Sequence, residues 1–449
     1  MIKLLTLLFI ALAVLTITSA PYIAAAFYMG VSILQPQYVW FWAFTGISIF
    51  KISAGIAIIA WFIQMIRGKV NWQIYNNGIF YGMFILLIVF QLSDLLSPFS
   101  TYVSRVSSTL VLDIYSTIFV MFFITLGLMN SENAVKSVIA VVVAVTIYYT
   151  YWANNAYFSG LWQLFESGRL AGPSGSPYRD GNAFSILFVI GLPFILFGIY
   201  QVDKKWQKLL LIIAIPLIWH ALVLCASRGA MLSAGVSTIV AALMIRSKAF
   251  NIVLVLGFVV FVIDQGGAVI SRTVETVQRA ESSQDAPINP RIVSWTVGLE
   301  LIKKHPVLGV GPQRFLQASG FYFPGKSRHV AHNTFLNFAA NTGLIAGFTY
   351  LSFFWIARKM YKSNKQALEK NPNKFHTYVN KAGICSLIGF FVGAIFLDLI
   401  IFEPFYLLLL ILVANNFVIR ERAIASDQVT ESDSGAEISQ QSKVRMKRV

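Results

Sequence analysis

The chain has 449 residues, of which 57% are hydrophobic and only 12% charged, with a formal net charge of +16 and a mean hydropathy of +0.69. A soluble protein of this size carries about a quarter charged residues and lacks repeated apolar runs long enough to cross roughly 30 Å of hydrocarbon. Here such runs are continuous rather than alternating. That excludes a soluble domain and a strand barrel and leaves spanning helices, whose backbone groups are satisfied inside lipid.

In chain order, the first 20 residues imitate a signal peptide, with Lys3, an apolar stretch and small residues up to Ala20. Pro21 would follow the cut and the apolar run continues, so we expect a retained membrane element. The stretch 4–34 is too long for one simple span and reads as one broken helix or two short ones. Further apolar segments lie near 44–66, 74–92, 107–128, 133–152, 182–200, 207–225, 229–245, 249–265, 335–357, 381–399 and 401–418. Aromatic clusters such as Tyr38, Trp40 and Trp42, or Tyr148 to Trp152, suit an interfacial belt. Cys225 and Cys385 give no disulfide or metal pattern. The polar residues after 420 predict a flexible tail with little to bury.

Short basic connections orient the chain, because Lys and Arg beside spans favour the cytoplasm. Arg67 with Lys69, Lys204 with Lys205 and Lys208, Arg246 with Lys248, and Arg420 with Arg422 all fall on one side. So does the stretch from Arg358 to Lys381, with seven Lys or Arg against one Glu. The connections 93–106, 153–181, 226–228, 266–334 and the turn near 400 are then expected on the opposite, outward side. The loop 266–334 stands out. It holds Arg272, Arg279, Arg291, Lys303, Lys304, Arg314, Lys326 and Arg328 against Glu275, Glu281, Asp285 and Glu300. A long loop translocates despite such charges, and its positive surface suits an anionic partner or lipid headgroups.

Three pieces of sequence carry chemistry on that face. Arg228, in Ser227-Arg228-Gly229, offers a guanidinium fork to phosphate where apolar helices exclude water; snorkelling to lipid phosphate is its bland alternative. Arg291, after Asn289-Pro290 and before Trp295, offers a second clamp. Past a helix, His305-Pro306-Val307-Leu308-Gly309-Val310-Gly311-Pro312 predicts a helix stop and a tight turn, with His305 structural; the Gly-Lys-Ser/Thr ending of a phosphate-binding loop is missing. His332, in Arg328-His329-Val330-Ala331-His332-Asn333-Thr334, is suited to accept a hydroxyl proton near neutral pH, and Asn333 to orient an amide or hydroxyl. A fourth piece contains Arg169, the turn from Ala171 to Pro177, and Arg179-Asp180-Gly181-Asn182. It is placed to cover the same cavity, although Arg179 and Asp180 equally suit a local ion pair. No HExxH or GxSxG context is present. What remains is a positional and electrostatic site for a phosphorylated leaving group and an acceptor hydroxyl.

Taken together, these pieces resemble the O-antigen ligase and polymerase superfamily. The likeness rests on Arg169 to Ala183, Ser227-Arg228-Gly229, Arg291 with Trp295, the segment 305–312, and Ala331-His332-Asn333-Thr334 followed by Asn341-Thr342-Gly343-Leu344. It covers about residues 165–350. Gly181 departs from the proline or asparagine of many relatives.

The resemblance implies an all-α polytopic glycosyltransferase of the GT-C type with about twelve transmembrane helices. A transmembrane domain over 1–419 would include the periplasmic loop 266–334, and 420–449 would be a cytoplasmic tail. The enzyme would sit in a bacterial inner membrane with its site facing the periplasm. It would move a glycan from undecaprenyl diphosphate to a lipid A-core hydroxyl with inversion, needing neither metal nor cofactor. Arg228 and Arg291 would bind the diphosphate and His332 would act as base, with Arg169, Arg179, Asp180, Asn333 and Arg328 as substrate contacts. Membrane lipids are expected partners and nucleic acid is not. A polymerase joining lipid-linked repeats and a protein O-oligosaccharyltransferase share this chemistry. An anionic-lipid flippase or transporter would need ionisable or helix-breaking groups through the midplane, for which His220, Pro193 and Pro216 are insufficient.

Overall fold

The computed structural model describes residues 2–100, 107–245, 290–326 and 330–446, together with Ser247 and Ile252. Among the described residues, the regular structure is helical apart from one two-stranded hairpin, β1 (Phe165–Glu166) paired antiparallel with β2 (Arg169–Leu170). The expected span 249–265 apart from Ile252, most of the first half of the loop 266–334, and Arg328 lie outside the described residues.

The stretch 4–34 forms two short helices, α1 (Ile2–Leu15) and α2 (Tyr22–Leu34). They are followed by α3 (Ile49–Ile66), α4 (Gly78–Leu95), α5 (Ser108–Gly127), α6 (Glu132–Phe158), α7 (Gly181–Gln201), α8 (Lys205–Leu224) and α9 (Arg228–Ile245). Then come α10 (Pro290–Lys304), α11 (Phe315–Tyr322), α12 (Thr334–Lys370), α13 (Lys374–Ala394) and α14 (Glu403–Met446). Among the described residues, eight helices, α3 to α9 and α12, are long and apolar enough to cross a membrane. The chain is a polytopic membrane protein.

Local sequence sets many of the boundaries. Asn77, Ser107, Ser131, Asp180, Asn333 and Asn373 each accept a backbone N–H in the first turn of the helix that follows, satisfying donors that a helix start leaves unpaired. The backbone of α14 continues as helix through 420–446, where composition predicts a flexible tail.

α7 is apolar all round, and it is buried along most of its length, as such a helix must be. Its neighbours approach through small residues. Gly191 faces Thr146 of α6, and Gly389 and Gly393 of α13 face Val189 and Ile186 of α7 and Ser237 and Ser233 of α9. Hydroxyls bind the same joints, Ser386 donating to the Ile190 carbonyl at 2.7 Å and Ser237 to the Cys385 carbonyl at 2.9 Å. Small-residue contact and interhelical hydrogen bonds replace the hydrophobic drive that lipid does not provide.

The expected two-sidedness is visible in which connections touch. At one end, Arg67 reaches the Thr18 carbonyl, Lys374 pairs with Asp203, and Arg422 with Glu132. This basic end therefore gathers the short Lys/Arg-rich connections from α1, α3, α6, α7, α13 and α14. At the other end meet the segments 159–182, 225–229, 290–326, 330–334 and 395–402. That second set holds the candidate chemistry. Its last member corrects the sequence reading: the expected span 381–399 stops at Ala394, and residues 395–402 form a turn.

Candidate active site

α8 ends at Leu224 and the chain reverses within three residues, with Ala226 at φ 49 and Ser227 buried. Ser227 Oγ accepts the Ala230 N–H at 3.5 Å, so Arg228 opens α9 with its side chain exposed. Arg169 braces this reversal from outside. Its Nε donates to the Cys225 carbonyl at 3.2 Å and an Nη to Asn182 Oδ1 at 2.8 Å. Asp180 in turn accepts the Asn182 N–H at 3.0 Å as the cap of α7. Gly181 is needed here, because a Cβ would lie 2.6 Å from the Leu170 carbonyl oxygen.

The turn 395–402 sits between Arg228 and His332. On one flank Gly229 packs on Phe396, where a Cβ would come within 3.2 Å of the phenylalanine Cβ. On the other flank Thr334, first residue of α12, donates to the Leu397 carbonyl at 2.7 Å and accepts the Leu399 N–H at 3.1 Å. Between these staples lies Asp398. Burial pushes its carboxyl above the usual aspartate range, while hydrogen bonds from Asn337 and the Ile400 backbone and the charge of His332 pull it back down. Asp398 and His332 thus interact electrostatically across the joint.

His332 adopts a left-handed backbone, φ 44, uncommon for a residue with a Cβ. Its position is fixed from both sides. Asn333 caps α12 by accepting the Leu336 N–H at 3.0 Å, and Trp295 of α10 donates its indole N–H to the Ala331 carbonyl at 2.7 Å. Arg291 lies four residues before Trp295, one turn along the same helix face, and is exposed. Arg228, Asp398, His332 and Arg291 are thus linked through Phe396, Thr334 and Trp295.

Among the remaining expected contacts, those that are described bind other parts of the chain. Arg169 donates to Cys225 and Asn182, Asp180 and Asn333 are helix caps, and Arg179 forms an exposed ion pair with Glu166 of β1 at 2.9 Å. Arg179 therefore pairs with Glu166 and not with Asp180. Arg314, counted in the basic surface of the long loop, is buried and pairs with Asp94 of α4 at 2.7 Å. His305 has the structural role expected of it, its Nε2 2.9 Å from the Tyr322 hydroxyl. Burial and Lys304 both hold His305 below the usual histidine range.

The glycine-rich pieces 305–312 and 341–344 form one joint. α12 is broken at Gly343, φ 87 and ψ 169, and the preceding loop enters the break. Val310 and Gly311 donate to the carbonyls of Ala340 and Asn341 at 2.9 and 2.8 Å, and Leu344 donates to that of Pro306 at 2.8 Å. This joint sets α10, and with it Arg291 and Trp295, against the helix that begins beside His332.

Asp398 is the site residue that sequence reasoning missed. The available signal was a carboxylate inside an apolar run, Leu397-Asp398-Leu399-Ile400-Ile401, costly in lipid unless it serves a polar site. Among the described residues, no three His, Cys, Asp or Glu side chains gather in a metal-ligating group.

A search of curated proteins finds no match to the chain. The family model described as O-antigen ligase matches residues 213–351, a stretch that holds Arg228, Arg291, Trp295, His332 and the broken helix. Over this stretch the chain is similar to the O-antigen ligase family.

Proposed function

We propose that this protein is a glycosyltransferase that moves a glycan from an undecaprenyl-diphosphate carrier to a lipid A-core hydroxyl at the periplasmic face of a bacterial inner membrane. The observation that carries this reading is the single turn 395–402, which abuts the Arg228 helix start through Phe396 and the His332 segment through Thr334. An anion clamp and a base beside it are what displacement of a lipid diphosphate by a hydroxyl requires.

The proposed step is one inverting displacement. His332 takes the acceptor hydroxyl proton, the freed oxygen forms a bond to the anomeric carbon, and the bond from that carbon to the diphosphate oxygen breaks. The negative charge gathering on the diphosphate is stabilised by Arg228 and Arg291, electrostatic help aimed at where charge develops. Asp398 holds the imidazole in place and favours its protonated form. The basic end of the bundle then faces the cytoplasm, in keeping with the bias of Lys and Arg near spans.

The test is turnover of purified protein given lipid-diphosphate glycan with three acceptors in parallel: lipid A-core, a second lipid-linked repeat, and a protein substrate. Product on lipid A-core alone supports the ligase. Product on the second repeat or on protein replaces it with the corresponding transferase. His332→Ala should lower turnover by roughly 100-fold or more, and unchanged turnover in a normally inserted variant would remove His332 as the base.

A further inference from the structure

The far end of the bundle from the candidate site contains a cavity of about 200 Å³. It lies between the turn that joins α1 to α2, the end of α3, and the connection from α5 to α6. Thr18, Ser19, Gln64, Lys69, Asn130 and Ser131 supply its polar wall, and Pro21 and Tyr22 part of its apolar one. A polar cavity of this kind at the edge of a membrane bundle plays no part in the proposed transfer chemistry.

The charges around it are unbalanced. Among the described residues, neither Lys69 in the wall nor Arg67 at the rim makes an ion pair. Arg67 instead donates to the Thr18 carbonyl at 3.3 Å and so holds the α1–α2 turn in place. Gln64 is buried and donates to the Ile17 carbonyl at 3.1 Å, and its own carbonyl accepts the Lys69 N–H at 2.9 Å. The nearest carboxylate in sequence, Glu132, is drawn to other partners: Lys136 at 2.7 Å, Arg422 at 2.6 Å and His376 at 3.3 Å. The wall thus offers an ammonium, hydroxyls and amide groups, with no acidic side chain among its lining residues.

The surroundings select the kind of anion. Leu15, at the end of α1, and Ile66, at the end of α3, flank this region and are each 80% exposed, as side chains in contact with hydrocarbon are. A ligand with a phosphate in the cavity and apolar chains beside these two residues satisfies both halves of the surface. We propose that the cavity binds the phosphodiester headgroup of an anionic glycerophospholipid, with Lys69 as its principal charge contact and the hydroxyls of Thr18, Ser19 and Ser131 around it.

The full-length protein in detergent, titrated with phosphatidylglycerol and read by native mass spectrometry, provides the test. Lys69→Gln should bind phosphatidylglycerol roughly ten-fold more weakly, as expected for loss of one charge-assisted contact. Lys205→Gln, at the same end and outside the cavity, should bind as wild type does, and phosphatidylcholine should bind weakly to all three proteins. Equal melting temperatures for the two variants and wild type establish that the substitution acts on binding. Equal affinity of wild type and Lys69→Gln for phosphatidylglycerol would overturn the proposal. So would displacement of the lipid by millimolar inorganic phosphate, which would mark the cavity as a site for a soluble anion.

Discussion

At the scale of single residues, His332 and Asp398 interact electrostatically, and this interaction has a consequence for pH. A carboxylate beside an imidazole favours the imidazolium, and the charge of His332 in turn lowers the pKa of the buried Asp398 carboxyl. Asp398→Asn should therefore lower turnover by roughly ten-fold or more and move the acid limb of the kcat/KM profile to lower pH. Loss of packing alone would lower the whole profile without moving the limb, so the measured shift distinguishes the two roles. Arg228, Arg291 and His332 can be proposed from the sequence, because residue type is local and sidedness follows from the charge of the connections. Asp398 was not, because a lone carboxylate in an apolar run acquires its meaning only when Thr334 and Gly229 close on the turn around it. Arg169, Asp180 and Asn333 show the reverse. Their residue types suggest ligand contact, and the brace and two caps they form are visible only in the bonds they make.

At the scale of elements, the break in α12 does more to place the site than any helix cap. Apolar periodicity over 335–357 predicts one uninterrupted span, and the stop after Lys304 is equally plain from Pro306 and its glycines. Neither pattern shows that one element enters the other, since pairing between segments some thirty residues apart leaves no periodic trace. Gly343 is the hinge of that arrangement. A Cβ there would lie 1.9 Å from the Val307 carbonyl oxygen, at a φ of 87, so Gly343→Ala combines backbone strain with a clash. It should destabilise the protein by about 2 kcal/mol or more, read as a lower melting temperature in detergent together with loss of turnover. Gly55→Ala is the control. Nothing lies within 4 Å of a Cβ at Gly55 in α3, and alanine there should be neutral or stabilising by up to about 1 kcal/mol. Equal effects of the two substitutions would show that the break in α12 is not what the joint requires.

At the scale of the whole molecule, the segment carrying Arg291 and Trp295 packs on the start of α12 through Val297, Leu301 and Phe315, and polar contacts tie it to the bundle as well. The buried ion pair between Arg314 and Asp94 fastens it to the end of α4. Arg314 also donates to the Ser100 carbonyl at 3.1 Å, and Ser97 donates to the Val310 carbonyl at 2.6 Å. These bonds turn one of the loop's formal charges inward, so the basic face that composition suggests is smaller than a count of Lys and Arg implies. The pair is also unequal: Arg314 is 3% exposed and Asp94 28%. Asp94→Asn would strand a charged guanidinium out of water, at a cost of roughly 3 kcal/mol. Arg314→Leu leaves a carboxylate that water still reaches and should cost less. Replacing both, Asp94→Asn with Arg314→Leu, removes the stranded charge and should be more stable than Asp94→Asn alone. Melting temperatures of the three variants test the order, and turnover measured alongside tests what the pair is for. If it docks the Arg291 segment, activity should fall with stability in Asp94→Asn and recover in part in the double variant. A double variant no more stable than Asp94→Asn would show that the buried charge is not what holds the segment to the bundle.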